Sequence, residues 1–326
     1  MEFSIPPYKG DFPMKPWPAL AGKAFCFKDN SRPAEIIFYY DTAPPNSAGA
    51  NTKPVFVLIH GLGDEADSWR HIIPLLNTAG NTRGCRVIAL DLPGFGRSTA
   101  AGKVSLKSYT AVVLKLIAAV VRPQSGEGAR PAIFLAGSSM GALIAEEAAL
   151  KMPELASGLI LIGGSIPGGP KNPGFFALVK LIFSKKWYRS YRKNPEGRWA
   201  SLYPYYADLD SMSPEDKDFL RQRVMARVES STQEQTFFAV QRSIVRSYLL
   251  ASSRYARNIK RSKGNILLLW GEKDRIIPLS SAQAFKTLRE GIGLEVIPDA
   301  GHLPHQEKPA EIARLIMDFV YHSFVC

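Results

Sequence analysis

The residue best suited to covalent chemistry is Ser139, at the centre of the run Gly137-Ser138-Ser139-Met140-Gly141. This run lies between an apolar stretch, residues 132–136, and a helix-forming segment, residues 142–151. A GxSxG sequence between a strand and a helix is typical of a nucleophile elbow, a sharp turn that exposes the serine hydroxyl and for which the glycines leave room. The start of a helix also places that hydroxyl at the positive end of the helix dipole. The pattern therefore predicts a nucleophilic serine.

A general base for this serine is expected in the segment 298–305, which follows a predicted strand at 294–297 and precedes a predicted helix over 309–324. Two histidines of the segment compete for the role. His302 follows a glycine just past the strand, where a loop can swing an imidazole over the edge of the sheet. His305 follows a proline and lies closer to the helix, and we interpret it as a solvated or helix-capping residue. An unperturbed imidazole is close to the neutral state that a general base needs near pH 7, so His302 is the predicted base.

Two carboxylates are candidates for the third member of the site. The hydrophobic strand that begins at Asn265 delivers Glu272 and Asp274 to its carboxyl end, which is the ligand edge of a parallel sheet. A carboxylate there can fix the histidine tautomer and stabilise the imidazolium. We prefer Asp274 and keep Glu272 as the second candidate. Asp91 ends an earlier strand, but in chains with this elbow the acid follows the serine, so we predict that Asp91 braces its own loop.

Backbone donors for a developing oxyanion are predicted from a second motif. The apolar run 54–59 has the length of a buried parallel strand and ends in His60-Gly61-Leu62-Gly63. A loop after this third strand can aim the amide of Leu62 at the same point as the amide of Met140, which gives a two-donor oxyanion hole. We interpret His60 as a structural histidine, because this geometry requires no catalytic side chain at its position.

The elements that position these residues resemble those of a known family. HGLG, DLPGFGRS, GSSMG, GEKDRIIP and DAGHLPHQEKP stand in the order and at the spacings of the α/β-hydrolase superfamily, in its branch of esterases, C–C bond hydrolases and cofactor-free haloperoxidases. The resemblance implies an α/β-hydrolase fold, with a mostly parallel eight-stranded sheet flanked by helices and an inserted helical cap. It also implies a catalytic triad with two oxyanion donors, namely Ser139, Asp274 and His302 with Leu62 and Met140. Relatives that open epoxides or displace halide carry an aspartate at the nucleophile position, so a serine there indicates acyl chemistry.

The chain length indicates one large domain with an insertion, since 326 residues exceed the roughly 250 that a single continuous core accommodates. Between residues 165 and 263 the strand–helix alternation disappears and helix-length segments such as 215–229 and 233–250 replace it. We therefore predict a core of residues 1–164 and 264–326 and a helical cap over 165–263. Such a cap closes over the carboxyl ends of the strands, excludes water and supplies much of the substrate pocket.

The positive charge of the chain is concentrated in the predicted cap. Residues 171–263 contain 19 Lys plus Arg against 8 Asp plus Glu, a net charge of +11 out of +12 for the whole chain, and 15 of the 34 aromatic residues. A mixed aromatic and basic stretch, such as 175–189, can contact an anionic membrane surface or receive a lipid-like substrate. The alternative is a cap helix whose apolar face covers the pocket while its cations face water. Nucleic-acid binding is not predicted, because no recognised binding module appears.

The remaining composition predicts an enzyme without a cofactor or a metal. The cysteines, Cys26, Cys85 and Cys326, are too widely spaced for a metal site or a disulfide framework, which indicates a reducing compartment. Neither a signal-peptide core nor a span long enough to cross a bilayer is evident, so we predict a soluble cytoplasmic protein.

We expect a serine hydrolase that cleaves a carboxylic ester or a related acyl bond of a small, hydrophobic substrate through an acyl-enzyme. Three alternatives stay open: C–C bond cleavage in a vinylogous diketone, acyl transfer to an alcohol or thiol, and a non-catalytic protein that binds a small hydrophobic ligand. The sequence gives no indication of the oligomeric state.

Overall fold

The computed structural model describes residues 22–29, 32–43, 53–78, 84–100, 102–121, 131–164, 185–262 and 264–325. Several predictions lie outside these ranges. They concern Cys326, the first 21 residues, and residues 165–184 of the predicted cap, so the aromatic and basic stretch 175–189 is described only from residue 185 onwards. The division into core and cap at 164/165 and 263/264 stays a prediction.

Eight strands form one sheet in the order β1-β2-β4-β3-β5-β6-β7-β8. The strands are β1 (Gly22–Asp29), β2 (Arg32–Asp41), β3 (Val55–Ile59), β4 (Arg86–Leu90), β5 (Ile133–Ser138), β6 (Ala156–Ile162), β7 (Asn265–Gly271) and β8 (Ile292–Ile297). β2 is antiparallel to both of its neighbours, and the other pairs are parallel. The predicted mostly parallel eight-stranded sheet is confirmed.

Helices cover both faces of this sheet. They are α1 (Ile72–Thr78), α2 (Leu106–Val120), α3 (Met140–Lys151), α4 (Lys185–Ser190), α5 (Pro195–Ala200), α6 (Pro214–Glu229), α7 (Ser231–Arg261), α8 (Leu279–Lys286), α9 (Pro304–Glu307) and α10 (Pro309–Val325). α2 and α3 pack on one face, while α1 and α10 contact each other on the opposite face. Because successive side chains of a strand point to opposite faces, Val57 packs with the first group of helices and Leu58 with the second. Burial on both faces explains why the central strands are continuously apolar.

Helices α4 to α7 lie between β6 and β7 and pack on the side of α2 and α3. Their apolar side chains, including Tyr188, Leu220 and Phe237, belong to the same buried cluster as that face of the sheet. The helix predicted over 233–250 is α7, and the predicted end is wrong, because α7 continues to Arg261. Tyr255 and Ile259, four residues apart, are buried in that cluster and extend the packed side of α7 beyond the predicted end.

The register of the parallel strands brings their carboxyl ends to one edge. Ile59 of β3 is paired with Gly137 of β5, and Ser138 is paired with Ile162 of β6. Ile162 is in turn paired with Leu269 of β7. The loops that follow these strands are the ones that carry the predicted site residues. Among the residues described, no helix is both long and apolar enough to cross a membrane.

Candidate active site

Ser139 lies at the turn between β5 and α3, at the N-cap position of the helix. Its φ of 53° is in the left-handed region, which a residue with a side chain rarely adopts. The backbone amide of Ser139 donates to the carbonyl of Ile162 over 2.8 Å and holds the turn against β6. α3 begins at Met140, two residues before the predicted start, so the serine directly precedes the first helical turn. Strained conformations of this kind persist where the surrounding structure enforces them.

The elbow closes only because glycines surround it. A Cβ atom on Gly137 would overlap the backbone of Gly141, and one on Gly141 would overlap the carbonyl oxygen of Ile59. A Cβ atom on Gly164, which follows β6, would overlap the backbone of Ser139 itself. The two glycines of the predicted motif are therefore required by close backbone approach, and Gly164 is a third that the motif does not include.

His302 joins the serine to a carboxylate. Its Nε2 atom is 2.9 Å from Oγ of Ser139, and its Nδ1 atom is 2.8 Å from Oδ2 of Asp274. A carboxylate only accepts hydrogen bonds, so Nδ1 carries the proton and donates a hydrogen bond to Asp274. Nε2 is then free to accept a hydrogen bond from the Ser139 hydroxyl. The side chains of His302 and Asp274 are 1% and 0% exposed, so the hydrogen bond between them is shielded from water, whereas Ser139 is only partly buried.

Asp274 is held in place by its own loop. Its Oδ1 atom accepts hydrogen bonds from the amides of Ile276 and Ile277 over 2.8 and 2.9 Å, which leaves Oδ2 for the imidazole. Glu272, the second candidate, is exposed and accepts a 3.3 Å hydrogen bond from the amide of Asp299. The structure therefore places the carboxylate of Asp274, and not that of Glu272, against His302.

The two residues predicted to supply oxyanion donors belong to segments that adjoin the serine. A Cβ atom built on Gly61 would lie 3.4 Å from Cβ of Ser139, so the loop after β3 contacts the elbow directly. Leu62 is the next residue of that loop, and Met140 directly follows Ser139 at the start of α3. The donation of both amides to an oxyanion stays a prediction.

His60 and Asp91 brace the loops at this edge of the sheet. Nε2 of His60 accepts a hydrogen bond from the amide of Leu92 over 2.9 Å, so its Nδ1 donates to the carbonyl of Gly61 over 2.7 Å. Burial lowers the pKa of His60, which is consistent with a neutral ring. Asp91 accepts from the amide of Ala66 and from both the amide and the side chain of Arg97. The loop-bracing role predicted for Asp91 is confirmed.

The environment of His305 differs from the one predicted. The sequence predicts a solvated or helix-capping residue, but the side chain is completely buried. The ring packs against Trp69 at a tilt of 35° with 4.4 Å between ring centroids, and Nε2 is 2.9 Å from Oγ of Ser68. Burial lowers its pKa to about 3, so the ring stays neutral. The prediction is wrong because Ser68 and Trp69, which lie far away in the sequence, cover the ring.

Three residues that the sequence did not indicate also hold the site. The carbonyl of Tyr205 accepts the amide of His302 over 2.8 Å, and its ring centroid is 5.9 Å from that of the imidazole. Glu307 accepts from the amides of Gly301 and Ala207 over 2.7 and 2.8 Å, and so links the histidine loop to the segment after β6.

Arg227 of α6 is the third of these residues, and it donates to the carbonyl of Gly63 in the loop after β3. Glu307 falls within the DAGHLPHQEKP motif, which is the one sequence signal that could have indicated its role. Tyr205 and Arg227 carry no sequence signal, because their partners depend on how the helical segment packs.

The site is thus a hydroxyl, an imidazole and a carboxylate in series, which can pass the hydroxyl proton to the imidazole as oxygen attacks an electrophile. Within the described ranges, no group of three His, Cys, Asp or Glu side chains has the arrangement of a metal site.

Comparison with known proteins identifies similar chains. Residues 56–315 match the model of the alpha/beta hydrolase family. The chain is 27% identical to pimeloyl-[acyl-carrier protein] methyl ester esterase of Methylococcus capsulatus over 83% of its length and 96% of that protein. It is 24% identical to 2-hydroxy-6-oxononadienedioate/2-hydroxy-6-oxononatrienedioate hydrolase 1 of Pseudomonas putida, over 83% of the chain and 89% of that protein. A solved bacterial membrane phospholipase A superposes with a TM-score of 0.69 at 22% identity, covering 94% of this chain and 87% of the other, which shows the shared fold.

Proposed function

The chain belongs to the alpha/beta hydrolase family, and from that premise we propose that it is a serine hydrolase that cleaves a carboxylic ester or a related acyl bond. The observation that carries the proposal is the unbroken series of hydrogen bonds from Ser139 through His302 to Asp274. The positive φ of Ser139 adds support, because a strained elbow presents the hydroxyl to a substrate at the sheet edge.

In the first half of the reaction, Oγ of Ser139 attacks the carbonyl carbon while its proton passes to Nε2 of His302. Asp274 stabilises the imidazolium that forms and keeps the ring in its orientation. The negative oxygen of the tetrahedral intermediate accepts hydrogen bonds from the amides of Leu62 and Met140. When the intermediate collapses, the bond to the leaving alcohol breaks and His302 returns its proton to the departing oxygen.

In the second half, His302 takes a proton from water and the resulting hydroxide attacks the acyl-enzyme. Collapse of the second intermediate releases the carboxylic acid and restores the Ser139 hydroxyl with the proton that the imidazole holds. The same residues serve both halves, so a change at any one of them reduces acylation and deacylation together.

A second candidate is cleavage of a carbon–carbon bond in a vinylogous diketone. It is favoured by the match to the Pseudomonas putida enzyme, whose name describes a hydrolase of 2-hydroxy-6-oxononadienedioate. In that reaction the bond that breaks joins the carbonyl carbon to another carbon, so the leaving group takes up a proton on carbon. Ester and diketone substrates therefore distinguish the two candidates.

The test is a panel of nitrophenyl esters of increasing acyl length, assayed with the wild type and with Ser139→Ala. We expect ester hydrolysis by the wild type and a loss of several powers of ten in kcat for the variant. Full activity of Ser139→Ala would contradict the proposal. Rapid turnover of a vinylogous diketone without turnover of any ester would favour the second candidate.

A further inference from the structure

Helix α7 presents an unusual surface along the side that does not pack on the protein. Its buried side carries Phe237, Tyr255 and Ile259. The exposed side, which we call the basic stripe, consists of Arg242, Arg246, Arg257, Lys260 and Arg261 together with Leu249 and Leu250. At 100° per residue these seven positions fall within an arc of about 120° on the helix, so they form one continuous surface.

The positive charge of the stripe is not neutralised by neighbouring carboxylates of the same helix. No Asp or Glu occurs between residues 235 and 262 of the sequence. Among the described residues, no carboxylate forms an ion pair with Arg242, Arg246 or Arg257. Arg254 lies beside the stripe, over the ring of Tyr255 and close to Glu147 of α3, and is not counted as part of it.

Two leucines project from the middle of this charged surface. Leu249 is 57% exposed and Leu250 is 74% exposed, and they are the most exposed large apolar side chains in the described part of the chain. Two adjacent exposed leucines among arginines are costly in water, where they gain nothing from burial. Apolar side chains flanked by Lys and Arg on a helix are the pattern of a segment that lies in the membrane interface.

We propose that the basic stripe docks the protein on an anionic lipid surface, with Leu249 and Leu250 inserted at the level of the headgroups and the arginines on lipid phosphates. Arginine pairs bidentately with phosphate, and each cation near such a surface adds to the attraction. The helix lies on the bilayer and does not cross it. A fluid bilayer adapts to leucines that protrude from a convex helix, whereas a second copy of the chain would set one row of cations against another.

Helix α7, which carries the basic stripe, also contacts a loop next to the candidate active site. Phe237 of α7 packs against the loop after β3, since a Cβ atom on Gly63 would lie 3.2 Å from its ring. Arg242 follows five residues later, about 8 Å along the helix axis. The basic stripe therefore begins on the same helix that contacts the loop after β3. The docking itself does not depend on the proposed hydrolase activity and is measured without it.

The experiment is sedimentation of the full chain with vesicles of phosphatidylglycerol and phosphatidylcholine in equal parts, and with vesicles of phosphatidylcholine alone. We expect binding to the anionic vesicles only, and binding that weakens as salt is raised, because exposed charges are screened over about 10 Å at 0.1 M salt. Ser139→Ala is expected to bind as the wild type does, which separates docking from any hydrolysis of the lipid.

Two variants test the stripe itself. Leu249→Ser/Leu250→Ser removes the apolar part, and Arg242→Gln/Arg246→Gln/Arg257→Gln removes three charges. We expect each to weaken binding to anionic vesicles by about tenfold or more. The matched control is Lys286→Gln/Lys308→Gln/Arg314→Gln, which also removes three exposed cations. They lie outside α7, in α8, just before α10 and in α10 respectively. It is expected to bind within about twofold of the wild type.

Equal weakening by the control triple variant would overturn the proposal, because net charge and not this surface would then govern binding. Unchanged binding by the leucine variant, with its folding verified by circular dichroism, would also overturn it. Two further outcomes would overturn the proposal. In one, the wild type does not bind anionic vesicles and instead forms a dimer that the leucine variant abolishes. In the other, the stripe binds an acidic protein and not the vesicles.

Discussion

The imidazole of His302 has only one arrangement of protons that satisfies both of its neighbours. Asp274 accepts from Nδ1, so Nε2 faces Ser139 as an acceptor. The carboxylate thus acts through the histidine, by selecting this tautomer and stabilising the imidazolium. Its contribution is open to test by a change that preserves its shape.

Asp274→Asn is expected to reduce kcat by about 10⁴-fold, because the amide can donate to the ring and favour the wrong tautomer. Steady-state hydrolysis of a nitrophenyl ester measures the effect. Glu272→Gln is the matched control, since Glu272 is an exposed carboxylate two residues away, and we expect it to retain wild-type activity. Similar losses in both variants would show that the loop, and not the carboxylate on His302, is responsible.

His305 makes stability depend on pH. Its pKa is about 3 in the folded protein because of burial, against about 6.5 in an unfolded chain. Between these values the unfolded chain binds a proton that the folded protein does not. The free energy of unfolding therefore falls as pH drops below about 6.5, by at most about 1.4 kcal/mol per pH unit from this residue. His305→Gln is expected to lack this contribution.

Urea unfolding between about pH 7 and pH 5 measures how the free energy of unfolding depends on pH. The control is His322→Gln, at an exposed histidine of α10. We expect a smaller slope of stability against pH for His305→Gln than for the wild type, and an unchanged slope for His322→Gln. A slope unaltered by the His305 substitution would contradict a neutral buried ring.

Among the elements, β3 and the start of α3 approach so closely that no side chain fits at Gly141. Gly141→Ala introduces a Cβ atom that overlaps the carbonyl oxygen of Ile59, so we expect it to lower the free energy of unfolding by about 2 to 4 kcal/mol. Gly264→Ala is the control, because its Cβ atom would meet only the carbonyl of Ala156 at 4.0 Å. That change is expected to stay within about 0.5 kcal/mol of the wild type. Equal stability of the two variants, compared by denaturant unfolding, would contradict the tight packing of the elbow.

The placement of the elements also explains which contacts of the candidate site could be predicted from the sequence alone. Ser139, Asp274 and His302 each lie within five residues after the end of a strand. Parallel strand ends meet at one edge of a sheet, so their proximity was predictable. Tyr205 and Arg227 come from segments whose placement on the core depends on packing between distant side chains.

The error at His305 has the same origin. A histidine after a proline at the start of a helix looks solvated, and only the turn at residues 66–69, distant in sequence, buries it. The predicted end of α7 is wrong because Tyr255 and Ile259 lie among Arg254, Arg257 and Lys260, which mask the buried face in the sequence.

At the scale of the whole molecule, ion pairs connect α6 to the segment that follows β3. Arg223 of α6 pairs with Asp67 and with Glu65, and the buried Arg70 pairs with Asp216 at the start of α6. Burial raises the pKa of Glu65, and Arg223 opposes that effect. The pairs of Arg223 are shielded from water, so removing Arg223 leaves uncompensated buried carboxylates.

Arg223→Met is therefore expected to destabilise the protein by about 3 kcal/mol or more and to loosen α6. Hydrogen exchange measured by mass spectrometry should show amides of α6 exchanging at least about tenfold faster, while β5, β6 and β7 keep their protection. Arg198→Met, which removes a pair with the exposed Glu229, is the control and is expected to leave exchange unchanged. Uniform acceleration across the sheet would contradict a local connection through Arg223.

The central claim is that Ser139 is a nucleophile activated by His302 and Asp274, and covalent labelling by a fluorophosphonate probe tests it most directly. Mass spectrometry of the labelled protein is expected to find a single adduct, on the peptide that contains Ser139. The adduct should be absent from Ser139→Ala and strongly reduced in His302→Gln, provided that both variants are folded. A folded wild type that takes up no label, or an adduct at another residue that persists in Ser139→Ala, would contradict the claim.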